Sequence, residues 1–119
     1  MMQLVNLTGH KLRLTDGRGI VVLPSQGRAR VTSESKLLMQ VEVEGLHNKL
    51  RVTRLFNPQI VNLPEPQPNT LYIVSGIVAA SVPERMDVVA PGQLDRDSET
   101  GRVIGCRGFV KPSQRSNVA

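Results

Sequence analysis

LYIVSGIVAASVPERMDVVAPGQLDRDSETGRVIGCRGFVK, residues 71–111, decides how this chain folds. Leu71 to Val74 is a short apolar run with the composition of a buried strand. Ser75 to Val82 is small and apolar, and predicts a short helix that stops before Pro83, because proline disfavours helix in the residue ahead of it. Asp87 to Ala90 predicts a strand closed by Pro91-Gly92. Asp95 to Gly101 sets acidic residues at alternate positions, a spacing that can hold a hard cation. Here, however, glycine falls one place late for such a loop and Arg96 sits among the ligands, so a polar hairpin turn is the better reading. Val103 to Val110 is the closing strand, with Gly105 and Gly108 marking bulges or close backbone approaches.

Working outward, the rest of the chain also favours strands. Leu4 to Leu7 is a short apolar run ended by Thr8-Gly9. Lys11 to Leu14 alternates basic and apolar, Asp16-Gly17 turns, and Ile20 to Leu23 returns, which predicts a hairpin with Lys11 and Arg13 on its wet face. Arg28 to Val31 alternates in the same way. Leu37 to Val43 is the longest strand candidate. Ser33 is a possible helix cap for Ser33 to Met39, but Val41 and Val43 argue for strand beyond that point. Leu50 to Leu55 follows with Arg51 and Arg54 interleaved. Pro58 to Pro68 is proline-rich and predicts a stiff connection over the surface, with an interaction motif for an aromatic groove as the alternative. The expectation is therefore a mainly β chain: a small antiparallel barrel or sandwich with one or two short helices. Residues 1–112 form a single β-rich domain, and residues 113–119, which lack apolar periodicity, form a flexible tail.

Composition narrows the function. Hydrophobic residues make up 39% of the 119, charged ones 21% and aromatic ones 3%, so the core is built from Val, Leu and Ile. The formal net charge is +5 and arginine supplies most of the positive side chains, which suits an anionic partner or a soluble basic surface. Nucleic acid fits the charge, but base stacking needs exposed aromatics, and only Phe56, Tyr72 and Phe109 exist. The single cysteine, Cys106, excludes an internal disulfide and fits a reducing cytoplasm. The N-terminus has no signal-peptide pattern, and no apolar run approaches the ~20 residues of a membrane span. His10 and His47 lack partners at metal-ligand spacing, and no P-loop or dinucleotide fingerprint is present. No cofactor, metal or catalytic set is expected, and an enzyme is the least favoured class. Cys106 predicts a buried inert thiol, since Arg107 beside it in a strand points to the other face.

The arginine-bearing loops of the 71–111 stretch carry the binding expectation. Arg85, Arg102 and Arg107 offer guanidinium forks, and Ser75 and Gly76 offer a hydroxyl and an unshielded amide; together they suit a phosphate or another planar anion. The alternative pairs Arg85 with Asp87 or Glu84, and Arg102 with Glu99, as ordinary ion pairs. Exposed strand edges in a small chain also predict self-association as a homodimer or larger closed assembly.

The segments LVNLTGHKLRL, PSQGRARV and YIVSGIVAASVPERMDVVAPGQLDRDSETGRVIGCRGFV resemble small proteins encoded by bacteriophages and by bacteria that carry prophages. The resemblance covers most of the chain. It implies an accessory phage protein in the host cytoplasm, of a kind that antagonises host defence by sequestering a nucleotide signal or by blocking a host defence protein.

Overall fold

A computed structural model describes residues 1–112; the tail expected at 113–119 lies outside the described residues. Eight strands and one helix follow in the order β1 (Gln3–Asn6), β2 (Leu12–Thr15), β3 (Ile20–Leu23), β4 (Arg30–Val41), β5 (Leu50–Val61), β6 (Thr70–Ile73), α1 (Gly76–Ser81), β7 (Val88–Arg96) and β8 (Val103–Val110). Six of the strands form one sheet in the order β1-β6-β7-β8-β2-β3, while β4 and β5 pair only with each other. The mainly β expectation holds, with one short helix. The sheet is mixed: β1 with β6, β6 with β7, and β2 with β8 run parallel, while β2 with β3 and β7 with β8 run antiparallel.

The sheet curls until its two edges nearly meet, and Asn6 joins them. At the end of β1 this side chain is almost fully buried. Its Nδ2 donates to the carbonyls of Leu23, at the end of β3, and of His10, at 3.1 and 2.8 Å. Its Oδ1 accepts from the Thr8 amide and hydroxyl, and its own carbonyl accepts from the Gln26 amide at 2.8 Å. Every polar group of the amide is therefore matched, which is what makes its burial tolerable. The result is a nearly closed, barrel-like sheet.

The core lies where β6, β7 and α1 meet. Parallel neighbours need a crossover, and α1 supplies it between β6 and β7. Ser75 caps α1, its Oγ accepting from the Val78 amide, and Pro83 follows soon after Val82. Val78 and Ala79 on the inner side of α1 pack with Tyr72, Val74, Val88 and Ala90. Lys111 reaches back from beyond β8 and donates to the carbonyls of Ala79 and Val82, satisfying the end of the helix.

The chain between Asn62 and Asn69 crosses the surface without regular structure and is held at two points. The Tyr72 hydroxyl donates to the Glu65 carbonyl, and Arg85 donates to the Pro64 carbonyl. The proline-rich stretch starts earlier than this crossing, because β5 runs on through Pro58 to Val61. Pro58 is accommodated because it falls in a bulge: Asn57 and Pro58 together oppose Ser33, Asn57 takes a left-handed φ of 51°, and its amide donates to Glu34. The helix considered for Ser33 to Met39 does not form; β4 is a strand from Arg30 to Val41.

Candidate functional site

Strands β2 and β8 touch at a single bridge, Leu14 with Cys106, and part on either side of it. Two clefts open in the wedges so formed, one on each side of the bridge.

The first wedge, toward the N-terminal ends of the two strands, holds about 340 Å³. It is lined by the apolar residues Leu12, Val22, Leu94, Val103 and Ile104 and by His10, Lys11 and Arg13, among others. Leu12 is buried, while Lys11, just ahead of β2, and Arg13, within it, are exposed. Gly105 lets the strands come this close, since a Cβ there would stand 2.9 Å from the Thr15 methyl. Neither Lys11 nor Arg13 is among the partners of the two ion pairs formed by the described residues.

The second wedge is lined by Leu4, Leu14, Asp16, Val21, Arg107 and Phe109, among others, and its charge is internally matched. The Arg107 Nε donates to both carboxylate oxygens of Asp95, at 3.0 and 2.8 Å. That bond raises the Arg107 pKa, with Asp16 a lesser contributor. The amides of Gly19 and Arg18 donate to Asp16 and hold its carboxyl below the usual carboxylate range. Two carboxylates surround one guanidinium here, so an anion is disfavoured. In the first wedge Lys11 and Arg13, in no ion pair among the described residues, line the cleft with apolar side chains, which favours an anion.

The five residues singled out from the sequence stand at separate places. Ser75 and Gly76 form the start of α1, with the Ser75 hydroxyl turned to capping. Arg85 lies at the other end of that crossover, ahead of β7. Its Nε and Nη2 donate to the two oxygens of Asp87 at 3.1 and 2.7 Å, and its guanidinium lies 5.7 Å from the centre of the Tyr72 ring. The two side chains are only 17% and 21% exposed. Their mutual bond lowers the Asp87 pKa and raises that of Arg85. The pairing of Arg85 with Asp87 is thus present. Arg102 forms the exit of the β7–β8 turn, where its carbonyl accepts from the Asp97 amide; it immediately precedes Val103 at the mouth of the first wedge. Arg107 sits in the second wedge. Nine residues of β7, at ~3.3 Å each, separate the Arg85 end from the Arg102 end, so these two do not converge on one ligand.

Other expectations meet their outcome nearby. The turn expected over Asp95 to Gly101 is shorter, because β7 runs on through Arg96; it spans Asp97 to Gly101, where Asp97 Oδ1 accepts from the Glu99 and Thr100 amides and Gly101 takes a φ of 73°. No group of three potential metal-ligating side chains occurs among the described residues. Cys106 is buried between the wedges, with its thiol against the carbonyls of Gly92 and Gly108. No helix among the described residues is long and apolar enough to cross a membrane.

Lys11 and Arg13 were legible only as the wet face of a hairpin. Their role at a wedge depends on the β2–β8 bridge, a contact across more than ninety positions that local alternation does not carry. Comparison of the chain with protein-family models, with curated proteins and with solved structures finds no match.

Proposed function

We propose that this chain is a non-enzymatic binding module that captures a small anionic, nucleotide-like ligand in the first wedge. One observation carries the reading: Lys11 and Arg13, in no ion pair among the described residues, line with His10 and several apolar side chains a cleft of about 340 Å³. That volume is within the range of small-molecule sites, roughly 300–1,000 Å³. The apolar side chains would take the flat face of a base or another apolar group, and the guanidinium and ammonium would take phosphate. Strands rather than loops carry most of these groups, which lowers the ordering cost of binding. The phage-type resemblance supplies the setting of the proposal: sequestration of a nucleotide signal in an infected host's cytoplasm.

A second reading, direct cover of a host defence protein, is favoured by the edge strand β3. Ile20, Val21 and Val22 are each at least half exposed there, beside an unpaired strand edge.

Native mass spectrometry of the protein purified from phage-infected cells separates the two readings. A bound mass below about 1 kDa supports capture, and a second polypeptide supports the host-protein reading. Calorimetry with a panel of linear and cyclic nucleotides then tests the site. Lys11→Ala and Arg13→Ala are expected to weaken binding about ten- to a hundredfold each, while Arg51→Ala leaves it unchanged. Equal losses in all three variants that vanish at high salt would mean diffuse electrostatics and no site.

A further inference from the structure

The β4–β5 ribbon leaves the barrel with little to cover it. Only its base, where Val31 pairs with Ile60, packs against the core. From Thr32 to Gln59 nearly every residue is exposed. A two-stranded hairpin by itself is marginal in water, so twelve-residue strands held at one end call for a second support.

The register shows which face needs it. Residues two apart on a strand share a face, as do cross-strand partners. Leu50, Val52 and Arg54 therefore share a face with their partners Val41, Met39 and Lys36. The register shift between Leu37 and Met39 makes Leu38 the extra residue of a bulge, and this shift turns Met39 to the side of Val52. In the outer half of the ribbon one face is therefore apolar, built from Met39, Val41, Leu50 and Val52, and the other carries Gln40 and Arg51. The apolar face is bounded by Lys36 and Arg54 toward the barrel.

The surface area supports an occupant of matching size. The chain exposes 9228 Å², whereas a compact monomer of 13.1 kDa exposes about 6,400 Å². Assigning residues 113–119 the full surface of an extended segment, about 1,100 Å², still leaves an excess of about 1,700 Å². A standard interface takes about 800 Å² from each partner, and obligate homodimers take more.

We infer that the ribbon is an assembly arm whose apolar face packs on the same face of a second copy, the two ribbons antiparallel about a two-fold axis near Met39 and Val52. A two-fold contact needs a self-complementary patch, and this face is one. Antiparallel packing lays Met39, Val41, Leu50 and Val52 of one copy on the same residues of the other. The contact uses no residue of the β2–β8 wedge, so it stands or falls independently of ligand capture.

Sedimentation equilibrium tests it on the full chain, with the near-ultraviolet dichroism of buried Tyr72 reporting the barrel. The wild type is expected at twice 13.1 kDa. Met39→Lys is expected at the monomer mass with the Tyr72 signal intact, its dissociation constant raised at least about a hundredfold. Val52→Lys, at the cross-strand partner on the same face, is expected to do the same, and Leu55→Lys, on the opposite face, to leave the dimer in place. If Met39→Lys loses the Tyr72 signal, Val52→Lys decides. A wild type that stays at the monomer mass over a wide concentration range overturns the inference. So does a folded Met39→Lys or Val52→Lys that remains dimeric, or a Leu55→Lys that dissociates it as fully.

Discussion

Ile73 and Val88 in the barrel are fully buried, while Met39 and Leu55 in the ribbon keep 57% and 67% of their surface in water. The two regions draw on the same residue types and the same strand period. What differs is layering. Strands β6 and β7 have α1 on one face and neighbours on both edges, whereas β4 and β5 have only each other. Strand-forming sequence therefore does not by itself make a core; a second layer does. The barrel has its second layer within the chain, and the ribbon is left to find one outside it.

Paired truncations break this comparison most sharply. Ile73→Ala is expected to cost about 3 kcal/mol in urea unfolding, from lost burial and the cavity left behind. Leu55→Ala, on the ribbon face away from the proposed contact, is expected to cost less than about 0.5 kcal/mol. Similar costs for the two would mean that the ribbon packs on its own barrel after all.

Next in size is the clamp at the lower end of the core. Arg85→Ala removes the bonds to Asp87 and Pro64 and the contact over Tyr72, and is expected to cost about 2 kcal/mol. It also has a pH signature. Asp87 is held below its ordinary 3.8 chiefly by the bond to Arg85. As the pH falls, the unfolded chain takes up this proton before the folded one. The stabilisation is therefore complete above about pH 4 and is lost as the pH falls through the lower folded value. Arg85→Ala should flatten that part of the acid unfolding curve. An unchanged curve would show that the pair contributes nothing to folding.

The barrel was more legible than the ribbon, and the reasons are physical. The short helix after Ser75 and its stop before Pro83 are local signals that sit where the sequence puts them, and the polar turn lies within its expected stretch, at Asp97 to Gly101. Gly105 and Gly108 mark real close approaches, whereas Pro91-Gly92, expected to close a strand, lies inside β7, where a Cβ at Gly92 would run into the Val110 side chain. The ribbon was obscured by its bulges. Leu37-Leu38-Met39 breaks the period of two, which left a helix in contention, and Pro58 looked like the start of a connection rather than part of β5. Parallel pairings and the wedge between β2 and β8 join distant segments, and no local pattern encodes them. Among the arginines, the sequence offered Asp87, two residues away, as a partner of Arg85, but not Asp95, which reaches Arg107 only across the β7–β8 pair.

The smallest effect is expected at Cys106. Cys106→Ser places a hydroxyl where a buried thiol meets the Gly92 and Gly108 carbonyls, and should cost about 1 kcal/mol without changing mass or ligand affinity. Loss of binding at an unchanged melting temperature would instead mark the thiol as a participant at the wedge.

Hydrogen exchange followed against protein concentration tests the contrast between barrel and ribbon most directly. Amides of β6 and β7 should be protected equally at all concentrations, since their cover is internal. Amides of residues 37–53 should exchange quickly where the mass is 13.1 kDa and become protected in step with its doubling. Ribbon amides that exchange at one rate throughout, whether fast or slow, would contradict the account.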